Sequence, residues 1–194
     1  MFRSHDRVVL ATLAALSLVV LGSSDLQSQG LPPQYLPVFG GTGGTSFSRD
    51  CGAGRVLTGF RYRSGLVIDA IGLLCKPVLA NGTLGPESTV GTIAGGSGGT
   101  TEVKSCGANE VVHSLTVYSG SYVSYLVIGC LYWDSAKRKF FGVAYPSMSF
   151  HIGNSSTLDA NHGESCDSPS QPGSGLRGRS GAFIDAIGLV CDEP

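Results

Sequence analysis

The sequence predicts an all-β protein built from three similar units around one core. Residues 179–191 (RSGAFIDAIGLVC) nearly repeat residues 63–75 (RSGLVIDAIGLLC), so one loop-and-strand unit occurs twice. The six cysteines fall into three evenly spaced pairs, which indicates a third copy. Segments rich in β-branched and aromatic residues, separated by Gly-Ser turns, lie within the repeats and favour strands.

Strands are clearest in three segments, and no segment of the predicted mature chain has helical periodicity. These segments are 56–62, 111–118 and 122–131. Short units of this kind can bury their apolar faces only against one another. We therefore expect a closed three-fold arrangement of sheets around a shared core.

Composition favours a compact, turn-rich domain and argues against a nucleic-acid partner. Of the 194 residues 29 are glycine, and 8% are aromatic. The formal net charge is -1 and only 14% of residues are charged, so no basic face is available for phosphate contacts.

Residues 1–24 have the pattern of a secretory signal peptide: arginines, an apolar run over 8–21, then small residues. The run is short for a bilayer span, so we expect cleavage near Ser24 and no membrane span afterwards; an uncleaved anchor is the alternative. Residues 25–37 are proline-rich and are expected to be a leader into one domain over 38–194. The protein is therefore expected to be secreted, into either the extracellular space or the periplasm.

All six cysteines lie in the predicted mature part, which is consistent with an oxidising compartment. Successive pairs are 24, 24 and 25 residues apart, so each pair marks one repeat, near 38–93, 94–148 and 149–194. A hairpin that turns at Gly65 would bring Cys75 close to Cys51. The predicted disulfides are Cys51–Cys75, Cys106–Cys130 and Cys166–Cys191. The alternative joins neighbouring repeats, through Cys75–Cys106 and Cys130–Cys166.

Two loops of the repeated unit carry the chemistry of a carbohydrate site. A sugar offers adjacent hydroxyls that both donate and accept, so its site needs a carboxylate to accept and N–H groups to donate. Glycines allow the backbone to approach the ring. In each loop a glycine opens the turn, two residues offer N–H groups and an apolar edge, and an aspartate accepts. The residues are Gly65, Leu66, Val67 and Asp69 in one loop, and Gly181, Ala182, Phe183 and Asp185 in the other.

The motif Gly-Arg-Ser-Gly-x-x-Ile-Asp-Ala-Ile-Gly at 178–188, together with the glycine-rich segment 40–47, resembles the jacalin-related lectins across the whole predicted domain. The resemblance implies a β-prism of three four-stranded Greek-key sheets. It also implies that an N-terminal glycine-rich loop and a C-terminal Gly-x-x-x-Asp loop meet at one apex and hold a monosaccharide.

Glycine boxes occur at 40–45 and 95–100, and the third repeat has only Gly153-Asn154-Ser155-Ser156. If each aspartate loop meets the box of the next repeat, as in the family, two sites form. The pairs are Asp185 with Gly40 and Gly41, and Asp69 with Gly95 and Gly96. At the third position Ser124 stands where aspartate is expected, so that position lacks both parts. Pairing within a repeat would instead give one complete site.

Two other interpretations concern the same loops. An aspartate at a loop end often accepts hydrogen bonds from its own loop, and glycines often serve only turn geometry. The vitelline membrane outer layer protein is also similar, with three Greek-key repeats, secretion and a disulfide-rich frame. That resemblance implies a structural coat or matrix component without a sugar site.

An enzymatic function is not expected. The segment 95–99 matches Gly-x-Ser-x-Gly, but a nucleophile elbow needs a strand before it and a helix after it, and here another strand follows. Zinc sites need short Cys-x2-Cys pairs, which the sequence lacks, so neither metal nor cofactor is expected. The expected partner is a carbohydrate or glycoconjugate. Weak sites commonly act through multivalency, which two sites per chain or a homo-oligomer would supply.

Overall fold

A computed structural model describes residues 30–141, 149–155 and 161–194, and the predicted signal peptide over 1–24 lies outside them. Regular structure within these residues consists of fourteen strands and no helix, so the predicted all-β class is confirmed. The strands are β1 (Gln34–Tyr35), β2 (Phe39–Gly40), β3 (Thr45–Asp50), β4 (Arg55–Ser64), β5 (Ile68–Pro77), β6 (Ser88–Gly95), β7 (Thr100–Ser105), β8 (Glu110–Ser119), β9 (Val123–Asp134), β10 (Lys139–Phe140), β11 (Ser149–Gly153), β12 (Asn161–Ser165), β13 (Gly173–Ser180) and β14 (Ile184–Cys191).

Three long antiparallel hairpins form the centres of three sheets. They are β4–β5, β8–β9 and β13–β14, and each turns through a loop of three residues. Their strands contain the β-branched and aromatic residues that favour extended backbone. The two nearly identical strings of the sequence occupy equivalent places, at the turns of β4–β5 and β13–β14.

The outer strands of each sheet come from the segment that follows the hairpin, and the last sheet is completed by the N-terminal strands. Strands β6 and β7 flank β5 and β4, while β11 and β12 flank β9 and β8. The hairpin β13–β14 is flanked by β2 and β3 from the other end of the chain. The repeats are therefore joined cyclically, and each glycine box connects the two strands that flank one central hairpin.

Part of the segment predicted as a leader adds to the sheet. Strand β1 pairs with β14 through Gln34 and Tyr35, and Leu36 is buried. The side-chain amide of Gln171 donates to the Pro32 carbonyl at 2.7 Å. Residues before position 38 are thus part of the packed structure, through contacts with residues close to the C-terminus.

One hydrophobic cluster lies between the sheets and draws side chains from every hairpin. Phe60, Ile128 and Ile187 are all fully buried in it. Burial of a side chain of this size contributes roughly 1.5–3 kcal/mol. Trp133 is buried as well, and its indole Nε1 donates to the Gly82 carbonyl at 2.9 Å, so its polar atom is satisfied.

The three disulfides follow the pairing predicted within each repeat: Cys51–Cys75, Cys106–Cys130 and Cys166–Cys191. In each, the first cysteine follows an outer strand of one sheet and the second lies in a central strand of the neighbouring sheet. The bonds therefore connect the sheets in a ring. They lie at the end of the strands opposite to the glycine boxes, because the boxes precede β3 and β7 whereas the cysteines follow them.

Candidate functional site

Two glycine boxes meet two aspartate loops at one end of the molecule. Site 1 is defined as box 40–45 with loop 181–185, and site 2 as box 95–100 with loop 65–69. The pairing arises because β3 lies beside β13 with Thr45 opposite Ser180, and β7 lies beside β4 with Thr100 opposite Ser64. The structure thus brings each aspartate loop to the box of the next repeat.

In site 1 the glycine box encloses the Asp185 side chain. The Gly41 N–H donates to the Asp185 carbonyl at 2.8 Å. A Cβ on Gly40 would overlap the backbone of residues 185–186, and a Cβ on Gly43 would overlap the Asp185 carboxylate at Oδ1. Gly44 has φ +61°, in the left-handed region that glycine accepts without strain, and it lies beside Oδ2.

Site 2 repeats this geometry. The Gly96 N–H donates to the Asp69 carbonyl at 2.8 Å, and Gly95 lies against the same backbone. A Cβ on Gly98 would overlap the Asp69 carboxylate, and Gly99 has φ +63°. The predicted pairs are therefore together in both sites, but the glycines that touch the carboxylates are the later ones of each box.

The two carboxylates are buried and have no protein donor. Asp69 and Asp185 are each 5% exposed. Among the described residues, neither side chain accepts a hydrogen bond or forms an ion pair, although buried polar groups in proteins are nearly always paired. The aspartates therefore do not cap their own loops. A buried carboxylate of this kind requires a donor from outside the protein, either solvent or a ligand.

Two arginines hold the boxes in place. In site 1 the Arg179 guanidinium donates to the carbonyls of Gly43 and Gly44, both at 2.7 Å. In site 2 the Arg63 guanidinium donates to the carbonyls of Gly98 and Gly99, at 2.6 and 2.9 Å. The carbonyls of each box are thus turned towards an arginine and away from the carboxylate. Both arginines directly precede the turns of their hairpins, so the bracing recurs with the repeat.

A third loop forms one wall of site 1. A cavity of about 350 Å³ lies between box 1, Asp185 and residues 120–122. The Tyr122 ring is 41% exposed at this wall and packs edge-to-face on the Phe183 ring, with centroids 5.0 Å apart. Sequence reasoning missed this wall, because its residues belong to the position that lacks an aspartate.

The other predicted loop residues lie around these sites. Gly65 and Gly181 donate from their N–H groups to the carbonyls of Val67 and Phe183, which closes each turn. Ala182 places its carbonyl against Gly96, so loop 181–185 contributes to site 2 as well as to site 1. Leu66 is 75% exposed at the tip of its loop.

The third position differs as predicted. Ser124 occupies the place of the aspartates: the Asn154 N–H donates to its carbonyl at 2.9 Å, and its hydroxyl donates to the Tyr118 carbonyl at 3.2 Å. Tyr125 packs on the rings of Tyr118 and His151. Ser156 of the predicted third box lies outside the described residues.

Ser97 lies between β6 and β7, so the described segment has a strand on each side of it and no helix follows. In the described part of the chain, no three His, Cys, Asp or Glu side chains are grouped as a metal site would require. Nor does that part contain a helix long and apolar enough to cross a membrane.

No family model and no curated protein sequence matches the chain. Several solved structures are similar in fold. A mannose-binding jacalin-related lectin from Ananas comosus aligns over 84% of this chain and 99% of its own, with TM-score 0.56 and 21% identity. Artocarpin in complex with mannotriose aligns over 85% and 99%, with TM-score 0.59 and 14% identity. Calystegia sepium agglutinin aligns over 84% and 99%, with TM-score 0.55 and 18% identity.

At these sequence identities the likeness concerns the fold. The three sheets of this chain are joined cyclically and carry the glycine boxes at one end. The similar solved structures support the same fold. The chain has the β-prism fold of the jacalin-related lectins.

Proposed function

We propose that this protein is a secreted carbohydrate-binding protein that holds one monosaccharide unit at each of sites 1 and 2. The observation that carries the proposal is the pair of buried carboxylates, Asp69 and Asp185, that have no donor within the described residues. Adjacent sugar hydroxyls supply such donors.

Recognition at site 1 follows from its geometry. The Asp185 carboxylate accepts hydrogen bonds from two neighbouring hydroxyls, and charge-assisted bonds of this type are the stronger ones. The N–H groups of Ala182 and Phe183 are the donors to sugar oxygens. The exposed face of Tyr122 offers an apolar surface to the C–H groups of the ring. Site 2 uses Asp69 with the N–H groups of Leu66 and Val67.

The class of ligand is supported by the proteins that share the fold. The Ananas comosus lectin is a mannose-binding protein, and artocarpin forms a complex with mannotriose. The alternative, a coat protein with the same fold, gives no reason for a buried and unpartnered carboxylate at two equivalent positions. We therefore favour binding over a purely structural role.

Two sites per chain suit a protein that crosslinks glycans. Single shallow sites bind weakly, and linking two of them raises the overall affinity by orders of magnitude without a new contact. A homo-oligomer would extend the effect. The three disulfides fit secretion into an oxidising compartment.

A glycan array on the disulfide-bonded protein tests the proposal and identifies the sugar. The D69N and D185N substitutions preserve side-chain shape but remove the charge, and each should weaken one site by at least about tenfold. The double variant should no longer be retained on a resin of the preferred sugar. S124A at the third position is the matched control and should bind like the parent. Parental retention of the double variant would refute the assigned sites.

A further inference from the structure

A groove of about 380 Å³ lies beside site 2, on the outer face of the sheet formed by β4, β5 and β6. It shares Gly96 and Ser97 with the site 2 box, so a chain of sugars held at Asp69 has a path into it. Arg61 and Arg63 line the groove. Among its described lining residues there is no Asp or Glu.

Arg61 has no partner for its charge. Within the described residues its guanidinium makes no hydrogen bond and no ion pair. Its equivalent in the sheet of β13 and β14 is Arg177, because Arg61 pairs with Gly72 and Arg177 with Gly188. Arg177, in contrast, has partners: it donates to the Leu36 carbonyl at 3.0 Å and lies 5.4 Å from the Tyr35 ring. In the sheet of β8 and β9 the equivalent residue is Thr116, which has no charge.

The difference between the two arginines has a structural cause. In the sheet of β13 and β14, the segment between β1 and β2 passes over Gly188 and brings the Leu36 carbonyl to Arg177. In the β5–β6 pair the register skips between Ile71 and Leu73, and β6 bulges there. Among the described residues, the bulge places no acceptor within hydrogen-bond distance of the Arg61 guanidinium, and the groove stays open beside it.

Two further arginines add positive charge: Arg63 lines the groove, and the Arg49 side chain lies beside Gly91 of its lining. Arg63 and Arg49 donate to backbone carbonyls, Arg49 to that of Thr92 at 3.1 Å, so their positions are fixed. None of the three arginines forms an ion pair with a carboxylate in the described residues. Three cations without a counter-charge attract an anion, and a guanidinium binds carboxylate or sulfate oxygens in a bidentate manner.

We propose that this groove binds the anionic substituent, a carboxylate or a sulfate, of a sugar residue next to the one held at Asp69. The inference rests on the proposed sugar binding at site 2. Arg61 provides the bidentate contact, while Val90 and Ile93 face the C–H groups of the ring and Thr101 offers a hydroxyl. The protein is thus selective for acidic glycans at site 2 and not at site 1.

The test uses two matched pairs of soluble probes in titration calorimetry at physiological salt. The carboxylate pair is trigalacturonic acid and its methyl ester; the sulfate pair is a sulfated chondroitin tetrasaccharide and its desulfated form, so the two sources of charge are separated. The protein variants are R61Q, D69N and K139Q. Lys139 lies on β10 in another sheet, so K139Q controls for the loss of one positive charge.

The charged member of at least one pair should bind about tenfold more tightly than its less charged form, and R61Q should remove this advantage while K139Q keeps it. D69N should weaken both members of the pair. Equal affinity within both pairs, or an equal effect of R61Q and K139Q, would refute anion binding in the groove. The proposed binding of a neutral sugar at Asp69 would not be affected by that result. Absence of any sugar binding to the parent on a broad glycan array would overturn both proposals.

Discussion

The Asp185 carboxylate lies directly against the Cα of Gly43, with no room for a side chain between them. The same relationship recurs between Asp69 and Gly98. Each contact joins the start of one repeat to the turn of the preceding one in the cyclic order. The glycine box therefore does more than turn the chain, because it allows a buried charge to reach its position beside the pocket.

Substituting Gly43 with alanine should inactivate site 1 alone. The new methyl group displaces the carboxylate, since Oδ1 is the atom it would overlap. The side chain can move, so the cost in folding free energy should be small, about 1 kcal/mol, at the low end for overpacking. Calorimetry should show the stoichiometry falling from two sugars per chain to one. G98A should do the same at site 2, and a G43A protein that still binds two sugars would contradict this geometry.

Replacing the aspartates with asparagine should separate binding from stability. A buried charge without a partner is unfavourable in the sugar-free protein, so D69N and D185N should leave the melting temperature unchanged or raise it. Sugar affinity should fall at the same time. Thermal unfolding with and without sugar gives both quantities. A marked loss of stability in the sugar-free variants would instead indicate that the carboxylates have a structural role.

Arg179 should increase the sugar affinity of site 1 without contacting the sugar itself. R179Q releases the carbonyls of Gly43 and Gly44, so box 1 loses its fixed geometry. We expect a loss of about 1 kcal/mol in folding free energy and a weaker site 1 with an unchanged site 2. R138Q is the matched control, because Arg138 also donates to two carbonyls, those of Leu79 and Ala80, away from both sites. Equal effects of the two variants on sugar affinity would argue against bracing.

The repeated pattern predicts the class of fold and favours the observed cysteine pairs, and together with the resemblance to the jacalin-related lectins it favours the cyclic pairing of loops and boxes. A duplicated string with one hairpin per copy leaves few ways to place Cys75 relative to Cys51. The same register brings Asp185 to the first box and Asp69 to the second.

What the sequence did not reveal depends on contacts between distant segments. Which glycine of a box meets the carboxylate is decided by the turn between two outer strands and by their pairing with a hairpin elsewhere in the chain. The local sequence of the box therefore does not show that Gly43, and not Gly41, contacts the Asp185 carboxylate. Tyr122 belongs in sequence to the position that lacks an aspartate, and only the packing of three loops at one end makes it a wall of site 1. Likewise, Gln34 joins a sheet because the last strand of the chain lies beside it.

The disulfides should contribute to the folding free energy but not to the sugar affinity of sites 1 and 2. Removing one bond with C51S/C75S opens a loop of 24 residues and should cost roughly 3 kcal/mol of folding free energy. The bonds lie at the opposite end from the sites, so sugar affinity should stay the same at temperatures where the variant is folded. Denaturant unfolding and calorimetry below the melting temperature measure the two effects. Loss of sugar binding in a folded variant would contradict this separation.

His113 should make the protein less stable in acid. Burial lowers the pKa of this side chain, which lies against Phe140, and the neighbouring Gly129 backbone opposes the shift only in part. The unfolded chain therefore binds a proton more readily than the folded one. The stabilising contribution of neutral His113 is present above the ordinary histidine pKa of about 6.5 and is lost as the pH falls through that value towards the lower folded pKa, by at most about 1.4 kcal/mol per pH unit. Denaturant unfolding measured as the pH is lowered below about 6.5 should show this slope. In H113Q the slope should be smaller than in the parent protein. An identical slope in H113Q and the parent would assign the acid sensitivity to other groups.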